Sequence, residues 1–290
     1  MSDWTIGIIG GSGLYAIDAL EEAQWIKVNS PWGEPSDEIL CGKIGHVRVR
    51  FLPRHGRGHP LIPSKVNARA NIDALKRAGC TDVLAISAVG SLAEDLPPGR
   101  FVTVDQFIDN TKGRPSSFFD SGFVAHVSMG DPVCARLSKF AANAVETAGG
   151  DVTEGATYLA MEGPQFSTRA ESRLYRHWGA EVIGMTGMPE ARLAREAELP
   201  YALLAMVTDW DSWREGEAAV DVSVIIEQMQ RNSELAKKAV EAFCKGLPKK
   251  RNPSPIDRAL DDAVITAPEH HDKELMTKLD AVAGRLFRYQ

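Results

Sequence analysis

Short apolar runs alternate along the chain with stretches of helical periodicity. Six runs bounded by Gly, Pro, Asp or Asn read as strands: residues 5–9, 47–52, 82–87, 101–105, 181–185 and 201–208. They are almost continuously apolar, which suits strands covered on both faces. Helix signals fall between them. Ser64 leads into Val66, Ala70, Leu75 and Ala78 before Gly79. Asp131-Pro132 opens a stripe of Val133, Leu137, Phe140, Ala141 and Val145 that closes at Gly149. Thr168 and Glu171 have capping-box spacing ahead of a helix ending near Gly179. Asp221 caps a long helix carrying Val222, Ile225, Ile226, Met229, Val240 and Phe243, with Gly246 at its close. This alternation predicts the α/β class.

The pattern shows no repeat and no shift in character before residue 246, so residues 1–246 are expected to form one catalytic domain. Residues 247–290 read as a linker and helical tail. Leu247-Pro-Lys-Lys-Arg-Asn-Pro-Ser-Pro255 carries three prolines, which a helix interior does not accept. A weak stripe (Leu275, Leu279, Val282, Leu286) then predicts a helix packed on a surface or on another subunit. The polar run Glu269-His-His-Asp272 reads as a solvated turn.

Composition narrows the function. The 290 residues are 44% apolar and 25% charged, which excludes a disordered or fibrous chain. A net charge of −6 argues against a broad nucleic-acid footprint. Four cysteines without close spacing signal neither disulfides nor a structural metal, and no targeting or membrane-spanning run is evident. A cytoplasmic enzyme is expected.

Four polar clusters follow strand ends. Gly10-Gly-Ser-Gly13 lets backbone amides approach an anion, yet is neither a Walker A loop nor G-x-G-x-x-G. Pro53-Arg-His-Gly-Arg-Gly-His59 has the character of an oxyanion loop and shares an Arg-His-Gly run with the histidine phosphatases. Ser87-Ala-Val-Gly-Ser91 keeps a crevice open. Thr208-Asp-Trp-Asp-Ser-Trp213 places two carboxylates and two tryptophans after the most apolar run of the chain. A ligand-free turn accounts for each cluster singly. Together they suit one ligand with an anionic part and a basic heterocycle, bound where strands of an open α/β sheet end.

These residues resemble the methylthioadenosine phosphorylase branch of the purine nucleoside phosphorylases. The likeness lies in Gly7-Ile-Ile-Gly-Gly-Ser-Gly13, Arg54–His59, Pro63-Ser-Lys-Val-Asn67, Ser87–Ser91, Asp105–Asp109, Glu162–Ser172, Met185–Glu190 and Thr208–Asp211. These segments are collinear over roughly residues 5–245. The resemblance implies a single-domain, three-layer fold with a central mixed sheet flanked by helices. It implies phosphate held by Ser12, Arg54, His55, Ser87 and Thr186, and ribose and base contacts from Ala88, Phe166 and Met185. Asp209 and Asp211 would lie on the purine edge, with Asp209 as the catalytic acid. A homotrimer or hexamer is implied, with His126 reaching a neighbour's pocket. No metal or organic cofactor is implied, phosphate being a co-substrate, and no nucleic-acid or membrane partner.

The resemblance also suggests a specificity. A protonated Asp209 donates to N7 and accepts from N6 of a 6-aminopurine, whereas the 6-oxopurine branch has Asn there and Glu where this chain has Ser167. Val222, Ile225 and Ile226 offer an apolar wall for a methylthio group. The expectation is phosphorolysis of methylthioadenosine in methionine and purine salvage. Methylthioinosine or broad purine nucleoside phosphorylase is the near alternative; a histidine phosphatase-type enzyme or a non-catalytic adenine-nucleoside-binding module is a remote one.

Overall fold

The computed structural model describes residues 3–11, 14, 17–214 and 222–287, with side chains for all of these except 222–224. In chain order the elements are β1 (Thr5–Gly10), β2 (Glu21–Ile26), β3 (Ile39–Ile44), β4 (Val47–Pro53), α1 (Ala68–Arg77), β5 (Asp82–Ser91), β6 (Phe101–Val104) and β7 (Gln106–Asn110). There follow α2 (Ala135–Thr147), β8 (Val152–Glu154), β9 (Thr157–Met161), α3 (Arg169–His177), β10 (Val182–Gly184), α4 (Glu190–Glu196) and β11 (Tyr201–Asp209). The last are α5 (Val222–Gly246), α6 (Lys273–Lys278) and α7 (Gly284–Phe287).

All eleven strands join one mixed sheet. Strand β1 runs parallel to β4 and β5, β5 runs parallel to β11, and β10 meets β5 antiparallel. Alternate residues of the central strands serve opposite cores, which explains their unbroken hydrophobicity. Ile6, Ile8, Leu84, Leu204 and Met206 join the core under α2 and α5. Ile9, Val83, Ala85, Leu203 and Ala205 join the core under α1 and α4. The result is three layers.

The sheet splits where the chemistry sits. Strand β5 pairs with β1 only as far as Ala85 and meets β10 only from Gly90. Between these points, the edge of Ile86–Val89 opposite β11 borders a cavity instead of a strand. Backbone groups freed by such a split need other partners. Arg54 Nη1 donates to Ile86 O at 2.9 Å.

The six anticipated strands are all present, whereas β2, β3, β7, β8 and β9 carried no such signal. Strand β2 lies mostly in solvent, so its sequence Glu-Glu-Ala-Gln-Trp-Ile lacks an apolar run. Helix α2 begins at Ala135 with Cys134 at its N-cap, one turn later than Asp131-Pro132 suggests. The capping box of Thr168 and Glu171 is present, while Asp221 lies outside the described residues.

Residues 247–287 behave differently from a linker and surface tail. Arg251 is buried and pairs with Asp82, at the start of β5, and with Asp257. Leu260, Leu279, Val282 and Ala283 enter the core beneath α1 and α4. The polar run near residue 270 is also tied down: His271 Nε2 lies 3.0 Å from Thr266 O, and Asp272 accepts from Leu275 N–H to cap α6. A tail that completes its own core needs only scattered apolar positions, which is why its stripe is faint in the sequence.

Candidate active site

The cavity at the split encloses about 300 Å³ and draws residues from β5, β9, β10, β11 and α5 and from the loop after β4. One end is polar. Arg54 follows β4 directly and is only 2% exposed. Its Nε donates to Glu190 Oε2 at 3.0 Å and its Nη2 to Glu190 Oε1 at 3.1 Å. Nη2 also reaches Ile9 O at 3.3 Å, and Nη1 reaches Ile86 O. Four of the five N–H groups of a guanidinium are therefore used internally, and one on Nη1 remains for a ligand. Tyr201 O–H donates to Glu190 Oε1 at 2.8 Å, completing a buried network. Glu190 closes one of the segments that carry the family resemblance, but the sequence reading gave it no role. It lies 136 residues from Arg54, and the need of a buried cation for a carboxylate is the physical reason for the pairing.

Beside Arg54, His55 Nδ1 sits 2.9 Å from Leu61 O, and its ring stacks on His59 at 4.3 Å and 7°. Burial and the neighbouring Arg54 cation lower the His55 pKa to about 4. Across the cavity, the Ser87 and Thr186 hydroxyls share a hydrogen bond of 2.8 Å, and Thr186 N–H donates to Tyr158 OH at 3.3 Å. Four of the five expected phosphate residues thus line one cavity. The fifth, Ser12, lies outside the described residues.

The other end is acidic. The β5–β11 register shifts between Val207 and Asp209, and this bulge re-aims the residues at the end of β11. Asp209 Oδ1 lies 2.7 Å from Thr208 Oγ1, and Oδ2 accepts from Asp211 N–H at 2.9 Å. Gly90 makes room for this carboxyl, since a Cβ there would stand 3.1 Å from Oδ2. Asp211 has a φ of 50°, which an Asp tolerates, and its Oδ2 is buried without a hydrogen-bond partner among the described residues. Burial raises the pKa of both carboxyls, outweighing the hydroxyl and amide contacts that pull the other way. The tryptophans stand outside this chemistry: Arg214 covers the Trp210 ring at 3.6 Å, and Trp213 Nε1 donates to Ser91 O at 2.9 Å.

Proton counting at Thr208 is informative. Its hydroxyl has one hydrogen but two close acceptors, Val89 O at 3.1 Å and Asp209 Oδ1 at 2.7 Å. The carbonyl can only accept. When Thr208 serves Val89, the shorter contact requires the hydrogen of a protonated Asp209.

Ala88, Phe166, Met185 and Ile225 also line the cavity, Phe166 being exposed at its rim. Two expected residues lie elsewhere. Ile226 is 45% exposed and does not line the cavity. One residue along a helix is about 100° further round it, so Ile225 and Met229 share the inward face instead. Ser167 is buried behind Asp211, with its hydroxyl toward Met161 Sδ. The side chain of Val222 lies outside the described residues.

The profile of the Phosphorylase superfamily matches residues 5–245. The chain belongs to the phosphorylase superfamily. An S-methyl-5′-thioadenosine phosphorylase from Cereibacter sphaeroides is 56% identical over 98% of each chain. A solved methylthioadenosine phosphorylase from an antarctic soil metagenomic library is 45% identical, with a TM-score of 0.92 over 97% of this chain and 99% of that one. A mutant adenosine/methylthioadenosine phosphorylase from Schistosoma mansoni, solved with methylthioadenosine, is 36% identical with a TM-score of 0.78, covering 83% of this chain and 91% of that one. The superfamily match begins at β1 and ends within α5, so it includes every strand that borders the cavity.

His126 lies in a separate cavity of about 380 Å³, with Ser117 and Glu196. Glu196 accepts from Ser117 Oγ at 2.8 Å and Phe118 N–H at 2.7 Å, yet burial raises its pKa from 4.5 to about 7. The folded state thus holds this proton more tightly than the unfolded chain. Its stabilising contribution is full below about pH 4.5 and is lost as pH rises through about 7. Glu196→Gln, which keeps the shape, is expected to flatten that slope and to be the more stable form above pH 7 by roughly 1–3 kcal/mol. Thermal melts from pH 5 to 8 with parallel curves for the two proteins would show the opposite.

Proposed function

We propose that the protein catalyses phosphorolysis of S-methyl-5′-thioadenosine, giving adenine and 5-methylthioribose 1-phosphate. The observation that carries this reading is one cavity joining a cationic, hydroxyl-lined end to the buried Asp209 carboxyl, whose pKa burial raises, with Ile225 and Met229 beside it. The names of the relatives agree with it. Phosphate takes the Arg54 end, with Ser12 and its glycine loop, His55, Ser87 and Thr186 around it. The N-glycosidic bond loosens as phosphate approaches C1′, and the anion stabilises the growing positive charge on the ribose.

Negative charge grows on the purine at the same time. Asp209 meets it with a proton at N7. Thr208 assists by turning its hydrogen from Val89 O to Asp209 Oδ1, which frees the carboxyl hydrogen for the base. Asp209 Oδ2, or the unpartnered Asp211 Oδ2, accepts from the 6-amino group. Thr208→Val is therefore expected to lower kcat roughly 10-fold or more with little change in KM, because it removes assistance specific to the transition state. An unchanged kcat would remove Thr208 from the proton path.

Phosphate serves as co-substrate, and neither metal nor organic cofactor enters this scheme. The family resemblance extends the reading to a cytoplasmic homotrimer or hexamer, with His126 against a neighbour's pocket. The deciding experiment incubates the protein with methylthioadenosine, methylthioinosine, adenosine and inosine, with and without phosphate, and measures free base. Phosphate-dependent release of adenine, fastest from methylthioadenosine, is expected. Release without phosphate, or faster turnover of a 6-oxopurine, would overturn the proposal.

A further inference from the structure

We propose that His55 makes the polar end of the cavity selective for a tetrahedral oxyanion that still carries a proton, the anion's own O–H donating to Nε2. The inference rests on the phosphate reading above and concerns which form of the anion the site accepts.

The argument begins at Leu61. Its carbonyl oxygen lies 2.9 Å from His55 Nδ1. A carbonyl can only accept, so Nδ1 carries the hydrogen. Neutral imidazole has a single N–H, and Nε2 is then a lone pair. The surroundings keep it so. A second proton would create a cation next to Arg54, whose guanidinium is already fixed on Glu190, and against the stacked His59 ring. The Leu61 contact and the more distant Glu190 charge pull the other way, and burial together with Arg54 prevails.

The remaining groups at this end can be counted in the same way. Arg54 offers one uncommitted N–H on Nη1. Ser87 and Thr186 spend one hydroxyl hydrogen on each other, leaving the second to point outward. Thr186 N–H is occupied by Tyr158. Of these described side chains, Arg54 offers a hydrogen, the paired hydroxyls offer one hydrogen and can also accept, and His55 Nε2 can only accept. Hydrogen phosphate dianion and sulfate dianion share shape and charge and differ by one O–H. Hydrogen phosphate satisfies the acceptor. Sulfate sets an oxygen lone pair against the Nε2 lone pair in a partly dehydrated site, the arrangement that makes a site reject an analogue lacking one hydrogen.

The test uses the full-length protein at about pH 8, where phosphate is mainly a dianion with one remaining proton. Calorimetry measures binding of phosphate, arsenate and sulfate, in two buffers of different ionisation enthalpy. Phosphate and arsenate are expected to bind within a few-fold of each other, and sulfate at least about tenfold more weakly. Phosphate binding is expected to take up no proton, so its enthalpy is the same in both buffers. His55→Gln, whose amide can donate or accept, is expected to bring sulfate to within about threefold of phosphate. Equal binding of sulfate and phosphate to the unmodified protein, or uptake of one proton per phosphate, overturns the proposal. A His55→Gln protein that folds and keeps the full discrimination also overturns it. If it does not fold, the unmodified protein still decides. Should these results fail while adenine release still requires phosphate, only the His55 inference falls. If adenine release does not depend on phosphate and neither phosphate nor arsenate binds, the functional reading falls with it.

Discussion

Replacing Asp209 by alanine is expected to lower kcat for methylthioadenosine by roughly 10²–10⁴, the range for loss of a general acid. The expectation follows from the carboxyl's surroundings. Burial raises its pKa, so the protonated form persists to higher pH than for an ordinary aspartate. The sign of the pH dependence follows: the acid is present at low pH, and kcat declines as pH rises through the raised value. The alanine variant should lose that alkaline limb. Asp209→Asn keeps an N–H donor for the base and is expected to shift preference toward 6-oxopurines. Steady-state rates with methylthioadenosine and methylthioinosine across pH check all three. Near-normal turnover of the alanine variant, or an unchanged alkaline limb, would take Asp209 out of the reaction.

The second large effect is expected at Glu190, which acts through Arg54. Glu190→Ala leaves the Arg54 guanidinium buried without its counter-charge, and breaking such a pair costs about 3–5 kcal/mol. The Tyr201 hydroxyl, itself buried, loses its acceptor as well. A fall in Tm of at least about 6 °C is expected. The phosphate KM should rise too, because the two contacts to Glu190 set the plane of the guanidinium and so aim its remaining N–H. Glu190→Gln keeps one acceptor oxygen and should fall between the two. A melting curve unchanged by the alanine substitution would mean that the pair contributes no net stability. An unchanged phosphate KM in a folded variant would mean that Arg54 needs no such support.

The sequence alone determined a great deal of this protein. The apolar runs at β1, β5, β6, β10 and β11 are legible because both faces of a central strand are covered, so nearly every position must be apolar, while β4 is legible by alternation, with Arg48 exposed between buried Val47 and Val49. The chemical clusters are legible because they are continuous with those strands: Arg54 and His55 directly follow β4, Asp209 ends β11, and Ser87 lies inside β5, which runs on to Ser91 instead of ending before the cluster. Edge strands such as β2 escape notice because solvent on their faces removes the hydrophobic constraint.

Only the tertiary structure decided how these residues combine. The gap between Ala85 and Gly90, where β5 leaves β1 and meets β10, opens the cavity. It depends on pairings between distant segments that no local pattern encodes. The bulge at Thr208 and the Arg54–Glu190 pair are of the same kind. Ile225 faces inward and Ile226 outward for a reason invisible in their shared chemistry: the rotation of a helix whose placement is set by its packing against α2 and β11. The tail shows this most fully. Its prolines and scattered leucines describe a loose segment in one dimension. Arg251 beside Asp82, and Leu279 in the core, make it part of the body, because burial and charge pairing act between residues that only the folded chain brings together.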